Sequence, residues 1–230
     1  MQSPYIGRGI ALFVIISLVA WTAFRALGAR PPEPPKTPFP APVVDAPLAT
    51  AKSQQTAVFA GGCFWGVQAV FEHLKGVSSA TSGYAGGYVK SPSYESVSMG
   101  VTGHAETVSV VYDPSKLTYG QLLMIFFSVA HDPTQWNRQG PDTGTQYRSA
   151  IFYASEGQKR IAQAYVAQLD AAKVYSRPIV TKVEAFQAFY PAESYHQDYL
   201  RNHPDNPYIV YNDLPKLENL KKAFPTLYQP

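Results

Sequence analysis

The chain has 230 residues, a formal net charge of +3 at pH 7 and a single cysteine. The length suffices for one well-cored domain with an additional terminal segment, and the mild charge, without a basic stripe, excludes nucleic acid as the expected partner. One cysteine excludes an intramolecular disulfide, and an unpaired cysteine in an exported protein is more often reactive than structural.

The N-terminal segment from Gly9 to Phe24 carries no charged residue and is almost entirely apolar. As a helix that continues to Leu27 it would roughly span a bilayer, with Arg25 reaching to the interface. We therefore expect residues 1–30 to form a membrane anchor that places the catalytic part in a periplasmic or other extracytoplasmic compartment. A cleaved signal peptide, which would leave a secreted protein, is the alternative because small residues follow Arg25.

Prolines dominate the next stretch, with eight of them between positions 31 and 47. This composition predicts an extended polyproline-type linker over residues 31–55. Such a linker would hold a folded domain, expected at residues 56–230, away from a membrane surface.

Hydrophobic periodicity in the domain predicts alternating strands and helices. The predicted strands are 56–60, 78–84, 106–112, 149–153 and 179–183, and the predicted helices are 64–74, 119–129, 155–173, 193–201 and a solvated one at 216–222. This alternation predicts an α+β fold with a two-layer α/β sandwich. The order strand, helix, strand, strand, helix, strand is compatible with a ferredoxin-like split arrangement.

Two connections are too long to be simple links between these elements. One runs from Gly83 to Glu106 and the other from His131 to Arg148, and both contain several glycines and aromatic residues. Long irregular segments inside a compact domain are usually functional or disordered, and the aromatic content argues against disorder. We therefore expect both loops to carry functional residues.

The only cysteine, Cys63, lies between the first predicted strand and the first predicted helix. Two glycines precede it, and Phe64, Trp65 and a third glycine follow it. Glycines permit a sharp turn and the close approach of a ligand, and the N-terminus of a helix favours a thiolate through its dipole and unpaired N–H groups. The position therefore predicts a reactive nucleophile.

Residues 61–66, Gly-Gly-Cys-Phe-Trp-Gly, resemble the active-site signature of the A-type peptide methionine sulfoxide reductases. Further segments are similar to this family in order and spacing, namely residues 83–87, 103–106, 131–135, 144–149 and 190–200. The resemblance covers roughly residues 56–204, and it is specific because several motifs agree in register.

The resemblance implies reduction of methionine S-sulfoxide, free or within oxidised proteins, to methionine. Cys63 would attack the sulfoxide sulfur as a thiolate and become a sulfenic acid. Glu106 would protonate the sulfoxide oxygen, which requires a desolvated carboxyl that stays neutral near pH 7.

The resemblance also implies roles for five further residues. Tyr94 and Tyr147 would donate hydrogen bonds to the sulfoxide oxygen, and Asp142 would help to order the site. Phe64 and Trp65 would form an apolar cup for the methyl group of the substrate. Such a cup discriminates weakly, so the choice of epimer would come mainly from the direction of the oxygen.

Many members of the family resolve the sulfenic acid with a second cysteine near the C-terminus, and residues 208–213 of this chain carry none. An external thiol reductant, thioredoxin-like or glutathione-type, would therefore reduce Cys63 directly or through a mixed disulfide. No bound cofactor and no metal are expected, and the chain is expected to be a monomer.

Two other functions are compatible with the residues. A cysteine hydrolase or acyltransferase could pair Cys63 with a histidine base such as His104, His131 or His196, and it would lose activity when that histidine is removed. A membrane-tethered interaction domain would need no thiol. Dependence of the activity on Glu106 would instead favour the reductase.

Overall fold

The computed structural model describes residues 39–230, so the predicted anchor and the first part of the predicted linker lie outside the described residues. The strands are β1 (Gln55–Gly61), β2 (Val77–Ala85), β3 (Ala105–Tyr112), β4 (Arg138–Gln139), β5 (Asp142–Thr143), β6 (Ser149–Tyr153), β7 (Lys182–Ala185) and β8 (Phe189–Pro191). Six of them form a sheet in the order β7-β6-β1-β3-β2-β8, and β4 and β5 form a separate hairpin. In the sheet, β6 and β7 are parallel and the other neighbours are antiparallel.

Six α-helices accompany these strands. They are α1 (Phe64–Glu72), α2 (Tyr94–Ser98), α3 (Tyr119–Ile125), α4 (Glu156–Ala171), α5 (Tyr199–Asn202) and α6 (Leu214–Ala223). Short 3-10 turns occur at Thr145–Tyr147 and Ser194–His196, and π-helical turns at Phe126–Ala130 and Ile209–Asp213. Within residues 39–230, no helix has the length and apolar composition that crossing a bilayer requires.

The main hydrophobic core lies between one face of the sheet and helices α1, α3 and α4. Phe59 of β1 is at its centre, with ring centroids 5.2 Å from Phe71 and 4.9 Å from Phe126. Successive strand residues point to opposite faces, so Val58 and Ala60 join a smaller cluster on the other face. This arrangement confirms the predicted mixed α/β class.

Two predicted elements differ from the structure. The strand predicted at 179–183 begins three residues later, because the N–H groups of Ile179 and Val180 donate to Asp170 and to the carbonyl of Pro133. The helix predicted at 193–201 is divided into a 3-10 turn and α5, because Asp198 adopts a φ of +53°. A residue in this left-handed conformation cannot continue a right-handed helix.

The described part of the predicted linker, from residue 39 onward, lies against the domain. The Tyr165 hydroxyl of α4 donates to the carbonyl of Pro40 over 2.6 Å. The Gln168 side chain donates to the carbonyl of Ala41 over 2.7 Å and accepts from the N–H of Val43 over 2.9 Å. The segment is thus bound along the surface of α4.

Asp45 attaches the same segment to the start of α3. Its carboxylate accepts hydrogen bonds from the Thr118 hydroxyl and, over 2.8 Å, from the N–H of Gly120. Thr118 is also the N-cap of this helix, where it takes part in a capping box with Gln121. Asp45 therefore satisfies a second free N–H group at this helix end.

Candidate active site

Cys63 lies where β1 turns into α1. β1 ends at Gly61, and Gly62 has a φ of +89°, a conformation that glycine adopts without strain. A Cβ at this position would also overlap the side chain of Gln139. Cys63 itself is the N-cap of α1 and is only 8% exposed.

Burial raises the pKa of the Cys63 thiol well above its usual value. The charges of Glu106 and Asp213 act in the same direction, whereas the N–H of Trp65 acts in the opposite direction. The predicted position at the helix N-terminus is therefore correct, but the expectation that it favours a resting thiolate is wrong. Desolvation outweighs the helix end here, and Cys63 rests as a thiol at neutral pH.

The antiparallel pairing of β3 with β1 places Glu106 beside the end of β1. Phe59 pairs with Val108, so Glu106 is placed near Gly61 and the first turn of α1. Its Oε2 accepts the N–H of Phe64, the residue after Cys63, over 3.1 Å. The structure therefore brings the carboxyl group and the thiol to the same helix end.

Glu106 is only 2% exposed. This burial raises its pKa to about 8, although the hydrogen bond from the Phe64 N–H acts to lower it. Near pH 7 most of the carboxyl groups are therefore protonated, as an acid catalyst requires. A protonated Glu106 also carries no charge, which removes one of the influences that disfavour ionisation of Cys63.

Tyr94 and Tyr147 come from the two long loops. Tyr94 is the first residue of α2, and Tyr147 ends a 3-10 turn. Burial raises the pKa of both phenols, and the charge of Glu106 acts in the same direction, so both remain hydrogen-bond donors at neutral pH. A charge on Cys63 would also raise the pKa of both phenols. The two hydroxyls, the carboxyl and the thiol therefore lie close enough to interact electrostatically.

Phe64 and Trp65, which directly follow Cys63, both pack against His196, and we name this aromatic pair the aromatic wall. Phe64 is buried, with its ring centroid 5.1 Å from that of His196. Trp65 stacks on Tyr199 at 3.7 Å with an interplanar angle of 7°, and its Nε1 donates to His196 Nδ1 over 3.1 Å. The indole is therefore fixed in orientation by a stacking partner and by a hydrogen bond.

Residues 55–227 match the family model described as peptide methionine sulfoxide reductase. The chain belongs to this family. A relative from Mesorhizobium japonicum, named peptide methionine sulfoxide reductase MsrA 2, is 64% identical over 178 residues, which cover 77% of this chain and 91% of the relative. A relative from Thermus thermophilus, named peptide methionine sulfoxide reductase MsrA, is 51% identical over 77% of this chain and 99% of its own length.

Solved structures agree with this assignment of the reductase family. Methionine sulfoxide reductase A of Corynebacterium diphtheriae has a TM-score of 0.60 at 35% identity, covering 78% of this chain and 89% of that one. Mxr1 from Saccharomyces cerevisiae in its reduced form also has a TM-score of 0.60, at 32% identity, covering 71% of this chain and 92% of that one. The prediction that this chain is an enzyme of the family is therefore confirmed.

Asp142 of the reductase lies in the β4–β5 hairpin and is held by a residue that the sequence analysis missed. Its Oδ2 accepts a hydrogen bond from the hydroxyl of Tyr208. Burial raises the pKa of Asp142, whereas Tyr208 and the charge of Lys216 act to lower it. Among sixteen tyrosines, no local pattern distinguishes Tyr208.

Glu193 is a second functional residue that the sequence analysis missed. Its carboxylate accepts the Tyr84 hydroxyl over 2.8 Å and the N–H of Tyr94 over 2.8 Å. Burial acts to raise the pKa of Glu193, but the hydrogen bonds from Tyr94 and Tyr84 outweigh it and lower that pKa. The signal in the sequence was the resemblance of residues 190–200 to the family. It marked this segment but gave Glu193 no role.

The C-terminal segment of the reductase packs against α1 through a buried ion pair. Lys216 Nζ is 3.0 Å from Asp213 Oδ1. A Cβ on Gly66 would overlap this carboxylate, so the third glycine of the cysteine motif permits close packing. The predicted helix at 216–222 is present, but the expectation that it is wholly solvated is wrong for Lys216.

Two of the three histidines considered as bases for a hydrolase use both ring nitrogens in other contacts, and His196 uses its Nδ1. His104 bonds through its two ring nitrogens with the N–H of Gly87 and the carbonyl of Val89. The nitrogens of His131 contact the Phe126 carbonyl and the Ser149 hydroxyl, and His196 accepts from the indole of Trp65. Between residues 39 and 230, no hydrogen bond joins a histidine to Cys63.

Proposed function

We propose that this reductase uses Cys63 as its nucleophile and Glu106 as its proton donor to reduce methionine S-sulfoxide, free or in oxidised proteins. The proposal rests on one observation. The only thiol of the chain and a buried, protonated carboxyl meet at the start of α1, where Glu106 accepts the N–H of the residue after Cys63.

In the first step, Cys63 Sγ attacks the sulfoxide sulfur while Glu106 gives its proton to the sulfoxide oxygen. The attack joins Sγ to the substrate sulfur, and the sulfur–oxygen bond breaks as the protonated oxygen leaves as water. A water molecule then adds its oxygen to Sγ, which breaks the Sγ–sulfur bond and leaves Cys63 as a sulfenic acid. Methionine leaves, reduced by two electrons, and Cys63 is oxidised by two electrons. The proton lost by the thiol restores the Glu106 carboxyl, so a thiol and a sulfoxide give a sulfenic acid and a thioether.

Tyr94 and Tyr147 support this step as neutral donors to the sulfoxide oxygen. Negative charge grows on that oxygen as the bond breaks, and fixed donors stabilise such charge best when water is excluded. Phe64 and Trp65 receive the substrate methyl group, while Asp142 orders the hairpin that leads to Tyr147. Selection of the S epimer follows because only one epimer directs its oxygen at the donors when its methyl group faces the aromatic wall.

An external thiol completes the cycle. It attacks the sulfenic acid of Cys63, forms a mixed disulfide and releases water, and a second thiol then restores Cys63 and leaves as a disulfide. The absence of any other cysteine supports this route. Thioredoxin-like and glutathione-type thiols both supply the required chemistry.

The test is an epimer-resolved assay with purified protein, N-acetyl-methionine sulfoxide and dithiothreitol. We expect consumption of the S epimer and not of the R epimer, and we expect Cys63→Ser to have no activity. Without a reductant, one turnover should yield about one methionine per protein, because one cysteine gives one sulfenic acid. Turnover by Cys63→Ser, or equal consumption of both epimers, would overturn the proposal.

Residues 1–30 are further proposed to anchor the protein in a membrane, with the catalytic part exported. The uncharged apolar run from Gly9 to Phe24 supports this, because its length as a helix approaches the thickness of a bilayer. Membrane fractions should retain the full chain and release a variant that begins at residue 31. Recovery of the full chain in the soluble fraction with an intact N-terminus would contradict the anchor, and a shortened N-terminus would indicate signal cleavage.

A further inference from the structure

Exposed large hydrophobic side chains concentrate in the segments that carry the proposed site. Beyond the N-terminal segment 39–50, every one of them in the described chain lies in residues 86–104, 131–148 or 189–213. They are Tyr88, Met99, Val101, Trp136, Tyr195, Val210 and Tyr211. These segments also hold Tyr94, Asp142, Tyr147, His196 and Tyr208. Clustered exposure of this kind usually marks an interaction surface.

Three of these side chains come from the connection between β2 and β3, and we name them the rim patch: Tyr88, Met99 and Val101. They are 78%, 63% and 58% exposed. The Tyr88 hydroxyl donates to the Val101 carbonyl over 2.6 Å, and its N–H donates to the Thr102 carbonyl over 3.1 Å. The tyrosine ring is therefore held in place on the surface, although it is exposed to water.

The rim patch lies beside the donors of the proposed site. Met99 directly follows α2, the helix that begins with Tyr94. On the other side, Gln146 donates to the carbonyl of Ser98 over 2.9 Å, which joins this loop to the turn that ends with Tyr147. The patch is thus fixed to both elements that supply a tyrosine hydroxyl.

A substrate in a polypeptide brings its neighbouring residues to the protein surface around the site. The methionine side chain is short, so its neighbours in sequence lie against the protein surface when its sulfur reaches Cys63. The segment from Tyr88 to Gly103 contains only two charged residues, Lys90 and Glu95. A surface with a tyrosine, a methionine and a valine, and few charges, suits apolar side chains of varied shape.

We propose that the rim patch binds the residues that flank an oxidised methionine in an unfolded, apolar stretch of protein. The inference rests on the proposed function, since it extends the substrate from the sulfoxide group to the chain around it. Methionines are usually buried in apolar surroundings, and their oxidation disrupts hydrophobic cores. The damaged segments that become accessible are therefore apolar, and the patch favours them over free methionine sulfoxide.

The test compares two substrates with dithiothreitol as the reductant, so that no protein partner is required. One is N-acetyl-methionine-S-sulfoxide, and the other is an unstructured peptide with the same sulfoxide flanked by leucine, valine and phenylalanine. In the double variant Tyr88→Ser/Val101→Ser, we expect kcat/KM for the peptide to fall about 5- to 20-fold, mainly through KM, because large apolar contacts are lost. The small substrate should be unaffected.

Val43→Ser/Val44→Ser is the matched control, because both valines are exposed but lie in the N-terminal segment. It should leave both substrates unchanged. Circular dichroism checks the fold, and if the double variant does not fold, Met99→Gln and Val101→Thr are measured in its place with a smaller loss expected.

Three outcomes would overturn the inference. An equal loss with both substrates would mean that the patch shapes the site itself, and no loss with either would mean that the peptide does not contact it. A loss seen only with a protein thiol as the reductant would assign the patch to that reductant. Failure of the wild-type protein to reduce the small substrate would instead contradict the proposed function.

Discussion

Cys63 and Glu106 are held by β1, β3 and α1, which we name the framework, whereas Tyr94, Asp142 and Tyr147 lie in short elements within the two long loops. The thiol and the acid lie at the ends of paired strands and at the start of a helix, where many backbone hydrogen bonds define their positions. Among the loop residues, the N–H of Tyr94 donates to the Glu193 carboxylate and the Asp142 carboxylate accepts from the Tyr208 hydroxyl. The distance from sulfur to acid is thus insensitive to single substitutions, and the positions of the oxygen donors are sensitive to them.

The largest expected effect comes from replacing Glu106, the acid that the framework holds. Glu106→Gln keeps the shape of the side chain and an acceptor for the Phe64 N–H, but it removes the proton. We expect kcat for S-sulfoxide reduction to fall about 10²- to 10⁴-fold with little change in substrate binding. Glu95→Gln, an exposed carboxyl on α2, is the control. Equal losses in rate and binding would remove the acid role from Glu106.

The pH dependence of the same step provides an independent measure of that acid. Burial raises the pKa of Glu106 to about 8, so the proton is present below this pH and is lost above it. Single-turnover methionine release should therefore fall above about pH 8, approaching tenfold per pH unit. The descending limb should be absent in Glu106→Gln. An identical limb in the variant would assign the titration to another group.

Glu193 offers the clearest test of whether the positions of the oxygen donors in the loops are sensitive to single substitutions. Glu193→Ala removes the acceptor for the Tyr94 N–H, and we expect kcat to fall roughly tenfold because a donor is displaced by a fraction of an ångström. Glu193 acts through Tyr94, so adding the change to Tyr94→Phe should cost little more than Tyr94→Phe alone. Fully additive losses in this double-mutant cycle would show that Glu193 acts by another route.

Gly66 tests the packing that supports the framework. Gly66→Ala places a Cβ against the Asp213 carboxylate and the Lys216 amine. We expect a loss of about 1–3 kcal/mol in the free energy of unfolding, measured by urea denaturation. Gly157→Ala in α4 is the matched control, since its Cβ would meet only the Ser155 hydroxyl at 3.6 Å, and it should be neutral or stabilising.

The smallest effect is expected far from the chemistry. Asp45→Ala removes an acceptor from the start of α3 and should cost about 1 kcal/mol of stability without changing kcat. The exposed Asp205→Ala should change neither. A change in kcat for Asp45→Ala would connect the N-terminal segment to the site, which the framework does not require.

The sequence predicted the framework better than the loops for a physical reason. The alternation in β3 places Glu106 on the same face as Val108, and the glycine motif marks the turn at Cys63, so local patterns carry that information. The partners of Tyr94 and Asp142 are distant in the chain, and a glutamate or a tyrosine that accepts or donates one hydrogen bond has no local signature.

The expectation for the ionisation of Cys63 was wrong because it did not include tertiary packing. The ionisation of Cys63 is set by burial, which a helix-end argument from neighbouring residues does not include. The composition of the proline-rich segment predicted an extended linker, but composition does not show which carbonyls of that segment accept hydrogen bonds from the domain. Tyr165 and Gln168 provide the donors from a helix 125 and 127 positions further along the chain.

The C-terminal segment beside α1 affects how the enzyme is reduced after Cys63 has been oxidised. Residues 208–213 contain no thiol, and the buried pair of Asp213 and Lys216 fixes this segment against Gly66. Once Cys63 carries oxygen, the chain offers no second thiol to form a disulfide with it, so its reduction depends on how soon a thiol arrives from solution. Under peroxide with little thiol available, we expect a second oxygen to convert the sulfenic acid to the sulfinic form, which thiols do not reverse.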